Sequence, residues 1–162
     1  MRALIVVESI YGNTRAVADA IAAGLATGMQ VDVVDVEQAP KDPETDLLVI
    51  GGPTHAHGMS RSSTRKGRVG IREWIDSLDP VRTGWAATFD TRFPRPGWLV
   101  GSAAGGAARH LRRKGFHLAA AAESFYVTDA KGPLVDGELA HARMWGEEMQ
   151  HQLVGKGHVR AA

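Results

Sequence analysis

Short apolar runs alternate with helix-patterned stretches five times along this chain, and that alternation restricts the fold more than any other feature. Leu4 to Val7 is the first run, and Val17, Ala18, Ile21 and Leu25 then recur at helical spacing, with Gly28 placed to end the helix. Val31 to Val36 reads as a second strand and Leu47 to Ile50 as a third. The link between them carries Pro40 and Pro43, which leaves room for a turn or a short helix only. Ile71, Trp74, Ile75 and Leu78 share one helical face, and Pro80 stops it. Trp85 to Phe89 is the fourth strand. Ala104, Ala107, Ala108 and Leu111 mark the next helix, which ends near Gly115. A fifth strand lies within Phe116 to Val127, around an alanine-rich middle that suits a strand poorly. Leu139, Ala142, Trp145, Met149 and Leu153 describe the last helix.

Apolar strands alternating with helices imply a parallel sheet covered on both faces. Right-handed crossovers then leave few topologies. A three-layer α/β/α sandwich around a five-stranded parallel sheet of order 2-1-3-4-5 is one of the two common solutions, and it binds its ligand beyond the carboxyl ends of the first and third strands. A length of 162 residues suits a single domain spanning 1–162. The absence of cysteine excludes disulfides, thiolate catalysis and iron–sulfur clusters held by this chain, and suits a reducing cytoplasm. No run approaches the roughly 18 apolar residues of a membrane span. Ala3 to Val7 leads into polar Glu8 and Ser9, as a buried strand does and a signal peptide does not.

Ser9-Ile10-Tyr11-Gly12-Asn13-Thr14 follows the first strand and opens a helix. Hydroxyls, an amide, one glycine and a helix N-terminus together supply what a phosphomonoester needs. The same residues also make an ordinary helix cap. A dinucleotide fingerprint needs three glycines and a P-loop needs Gly-Lys-Ser/Thr; neither is present, so a bound phosphate would be of mononucleotide type.

Ser9 to Thr14 resembles the FMN-phosphate motif of flavodoxins, Thr/Ser-x-Thr-Gly-x-Thr, with Tyr11 where the family usually has a small hydroxyl. The element order resembles that family over nearly the whole chain. Glu123 to Val127, with Gly132-Pro133-Leu134 after it, resembles actinobacterial flavodoxin-like proteins. The resemblance implies a flavodoxin-like fold and bound FMN, its phosphate held by Ser9, Ile10, Tyr11, Gly12, Asn13 and Thr14. It places the loop after the third strand, with Pro53, Thr54, His55, His57 and Gly58, against the isoalloxazine ring. Glycine tolerates φ > 0, so the Gly58 peptide can turn its carbonyl towards the flavin N5–H and favour one-electron transfer. His55 and His57 alternate on an extended segment and face opposite ways, with no close carboxylate or cysteine, so flavin stacking or exposure is expected rather than a metal site.

The resemblance sets Phe89, Asp90, Thr91 and Arg92 at the pyrimidine side of the flavin. Phe89 reads equally well as a core residue. Arg92 is placed either beside the anionic reduced flavin or in a pair with Asp90. Trp98 covers the flavin or seals a loop.

The net charge is +1, yet Arg61, Arg65, Lys66 and Arg68 cluster in one stretch and Arg109, Arg112, Arg113 and Lys114 in another. Each is a solvated surface or a docking site for an acidic partner or a polyanion. No nucleic-acid motif accompanies them. The leading expectation is FMN-dependent electron transfer, with a redox partner docking at Arg61 to Arg68. Two alternatives share the fold: an FMN-dependent NAD(P)H:quinone or flavin reductase, and a flavin-free binding or regulatory domain. A response-regulator receiver would need an aspartate where Gly51 stands.

Overall fold

The computed structural model describes residues 1–54, 58–60, 69–80, 84–94 and 101–159, with side chains up to residue 155. Its elements run β1 Arg2–Val7, α1 Asn13–Leu25, β2 Gln30–Asp35, β3 Leu47–Pro53, α2 Ile71–Ser77, β4 Trp85–Arg92, α3 Ala103–Arg113, β5 His117–Leu118, β6 Glu123–Tyr126 and α4 Glu138–Val159. A 3-10 turn at Val36–Gln38 is the only helix described between β2 and β3, as the prolines there require. The strand order is β2-β1-β3-β4-β5, all parallel, and β6 also pairs with β4.

The fifth position of the sheet is therefore shared by two short strands. Ala86 pairs with Leu118 and Phe89 with Glu123. Between those pairs β4 advances three residues while its neighbour advances five. The surplus is looped out within Ala119 to Ala122, where four small side chains offer the sheet little to hold.

Strand residues alternate between two cores. Ala3, Ile5 and Val7 of β1 join Leu47, Val49, Ala87 and Phe89 beneath α1 and α4. Leu4 and Val6 join Leu48, Ile50 and Ala86 beneath α2 and α3. This two-sided burial explains why the strands read as unbroken apolar runs.

Two glycines bring α1 and α4 into backbone contact. A Cβ on Gly24 would stand 2.1 Å from the Arg143 carbonyl oxygen, and one on Gly146 would stand 2.4 Å from that of Ile21. Gly28 does not end α1, which stops at Leu25; instead it lies against Gln150 of α4, whose Nε2 would be 2.0 Å from a Cβ there. Gly115 does end α3, with φ 96°, and the Phe116 N–H reaches back to the Leu111 carbonyl at 3.1 Å. Leu139 departs from the expected apolar face of α4: it is exposed, while Ala142, Trp145, Met149 and Leu153 are buried. It stands in the first turn, before the helix meets α1. Trp74 and Trp145 are core residues.

Candidate cofactor site

Three connections leave the carboxyl edge of the sheet side by side, after β1, β3 and β4. The first is the Ser9–Thr14 turn. Gly12 caps α1 with φ 87° and, as a glycine, offers no capping side chain of its own. The first turn of α1 carries no acid. The Arg15 N–H is taken by Ser9 Oγ at 3.2 Å, which leaves the Ser9 O–H proton to donate elsewhere. The N–H groups of Gly12, Asn13 and Thr14 have no acceptor among the described residues. Such a terminus attracts an anion through its unpaired donors and the positive end of the helix dipole. No Cβ at Gly12 would meet another atom within 4 Å outside its own neighbours, so the approach is open.

The side chains of the turn divide unequally. Ile10 and Tyr11 are exposed, Tyr11 by 57%. Thr14 is buried and exchanges a 2.8 Å hydrogen bond with Thr91 Oγ1, tying α1 to the end of β4. The Asn13 amide is already engaged: Nδ2 donates to the Lys131 carbonyl at 3.1 Å.

Two buried carboxylates hold the connection after β3, and both face α2 and α3. Asp90 of β4 is fully buried; its Oδ2 accepts from Thr54 Oγ1 at 2.7 Å, Ser102 Oγ at 2.7 Å and the Ala104 N–H at 3.1 Å. Thr54 Oγ1 in turn accepts the Ala103 N–H at 2.9 Å. Glu8, directly after β1, accepts from Ser60 Oγ through Oε1 and from the Ile71 N–H through Oε2 at 3.1 Å. Each acid thus binds one hydroxyl of the loop and one backbone N–H at the start of the next helix. Gly58, between the two anchors, is buried with φ 128°, a conformation that favours glycine. Pro53 ends β3 half-buried.

The structure separates the members of the third predicted group. Phe89 is a core residue, 1% exposed, whose ring covers Gly51 and meets Phe125 edge-on; it lies beneath the sheet edge and not at the site. Phe93, just beyond β4, is the exposed aromatic of that segment, at 40%. Asp90 takes none of its hydrogen bonds from Arg92, so the expected pair does not form; the other Asp90 oxygen, Oδ1, is buried without a partner. Arg92 is buried in the β4–β6 pairing opposite Tyr126. His55, His57, Trp98 and the basic segment Arg61 to Arg68 lie outside the described residues.

Four contributors escaped the sequence reading: Glu8, Ser60, Ser102 and Lys131. Only Glu8 had a visible signal, an acid at even register immediately after a fully buried strand.

The family model described as flavodoxin matches residues 5–91, from within β1 to near the end of β4. The chain belongs to the flavodoxin family. Solved structures agree across the rest of the flavodoxin fold. A flavodoxin from the domain Archaea is 19% identical, with a TM-score of 0.68 over 94% of this chain and 98% of that one. Oxidised Flavodoxin 2 from Bacillus cereus is 18% identical, with a TM-score of 0.74 over 94% and 99%. A diflavin flavoprotein A3 from Nostoc sp. is 19% identical, with a TM-score of 0.62 over 99% and 97%. At such identities the likeness establishes the fold. No curated protein sequence matches this chain.

Proposed function

We propose that this flavodoxin-family chain binds FMN at the carboxyl edge of its sheet and serves as an electron-transfer protein. The observation that carries the reading is the α1 terminus: a Gly12 cap without a capping side chain, an acid-free first turn and N–H donors unpaired among the described residues. The Ser9 hydroxyl and the N–H groups of Gly12, Asn13 and Thr14 would hold the phosphate. Thr54 to Gly58 and the segment ending at Phe93 would border the ring. The cofactor itself supplies the redox chemistry. The protein supplies a fixed frame for it, because Glu8 and Asp90 tie the ring-side loop to β1 and β4.

Among the described residues no cluster of His, Cys, Asp or Glu is arranged to hold a metal ion, and no helix is long and apolar enough to cross a membrane. The test is the visible spectrum of the purified chain after incubation with FMN and removal of the excess. An absorbance band near 450 nm, roughly that of oxidised flavin, retained in a one-to-one ratio is expected. A colourless protein that leaves FMN fluorescence unquenched would favour a flavin-free binding domain. Rapid bleaching of the bound flavin by NADPH alone would favour the reductase over the carrier.

A further inference from the structure

On the reading that FMN occupies this site, we propose that Lys131 recognises the charge of its phosphomonoester and so sets the preference for FMN over riboflavin. The connection from β6 to α4 folds on itself. The Gly132 N–H reaches the Asp129 carbonyl at 2.9 Å, and both the N–H and the hydroxyl of Thr128 reach the Pro133 carbonyl, at 2.9 and 3.0 Å. The folded loop is pressed onto the start of α1. Asn13 Nδ2 donates to the Lys131 carbonyl at 3.1 Å. Gly132, at φ 97°, lies so close that a Cβ would come within 2.5 Å of Asn13 Oδ1.

Two features of this loop bear on an anion at the turn. The Asn13 amide nitrogen, a donor that the motif offers to phosphate, is already engaged with the Lys131 backbone. The Lys131 ammonium stands 6.0 Å from the centre of the ring of Tyr11, an exposed side chain of the same turn. That ammonium has no carboxylate partner among the described residues. The first turn of α1 contributes no acid to compete for it. A phosphomonoester carries about −1.5 to −2 charges at neutral pH, whereas riboflavin carries none there. A cation held at the phosphate turn stabilises the first ligand alone, through a Coulomb interaction that salt screens.

The full-length chain, stripped of flavin, is titrated with FMN and with riboflavin by fluorescence quenching, at about 20 mM and about 300 mM salt. Wild type is compared with Lys131→Met and Lys131→Arg. The expected result for Lys131→Met is FMN binding weakened roughly three- to tenfold at low salt, a smaller loss at high salt, and unchanged riboflavin affinity. Lys131→Arg keeps the wild-type preference. Equal weakening for both flavins would mean that Lys131 only packs on Tyr11 and would overturn the assignment; so would an unchanged FMN affinity. Wild-type protein that takes up neither flavin would overturn the FMN reading, and this assignment with it.

Discussion

Thr54 shows how much one hydroxyl can organise. It donates to Asp90 and accepts from the Ala103 N–H, so a single side chain joins the end of β3, the buried acid of β4 and the first turn of α3. Replacing it with valine keeps the shape and leaves a backbone N–H without an acceptor beside a carboxylate that has lost one of its three donors. The expected cost is about 2–3 kcal/mol, with Thr54→Ser recovering most of it. Urea denaturation of the three proteins measures this; a Thr54→Val variant as stable as wild type would show that water replaces the hydroxyl freely. If the anchor also shapes the flavin site, the same variant binds FMN more weakly. At this scale Phe89 and Phe93 are instructive too. Both are aromatics at odd positions near the end of β4, but Phe89 stands inside the strand, beneath α1 and α4 and over Gly51 of β3, whereas Phe93 stands one residue beyond the strand end and is exposed.

Among the elements, the contact between α1 and α4 depends most on side-chain size. Gly24 and Gly146 face each other's helix backbone with no space for a methyl group. Gly146→Ala therefore forces the two helices apart. The gain in helix propensity, about 1 kcal/mol, offsets only part of an overpacking cost of about 1–3 kcal/mol. A lowered denaturation midpoint with an unchanged m-value is the expected outcome; a raised midpoint would show that the helices separate without strain. The basic stretch on α3 also acquires a structural role. His110 bonds Asp76 at 3.0 Å, and Lys114 Nζ donates to the Asp76 and Leu78 carbonyls at 2.8 and 2.6 Å, fastening α3 to the end of α2. Arg112 and Arg113 remain exposed in the last turn, where positive charge suits the helix dipole. This cluster sits by the amino edge of the sheet, away from the proposed flavin.

For the molecule as a whole, the net charge of +1 gives no strong general field, so any steering of a partner must come from local clusters. In the sequence, Arg61 to Arg68 follows directly on Ser60, which Glu8 anchors. On the proposed reading it receives an acidic redox partner. Reversing Arg61, Arg65 and Lys66 to glutamate should slow electron transfer from such a partner roughly tenfold at low ionic strength. The difference should vanish in high salt. Stopped-flow rates across a salt series measure both effects, and rates that do not respond to either charge or salt would remove this docking role.

Periodicity in the chain was enough to specify the parallel sheet, its helices and the turn after β1, because strand and helix patterns depend on local spacing and on two-sided burial; the strand order came with the family resemblance. The family motif at Ser9 to Thr14 was legible for the same reason: its residues are contiguous. The split of the fifth strand, the close crossing at Gly24 and Gly146, the carboxylate anchors and the approach of Lys131 to the turn could not be read this way. Each joins residues far apart in the chain, and their meeting depends on sheet register and helix packing, which no local pattern encodes.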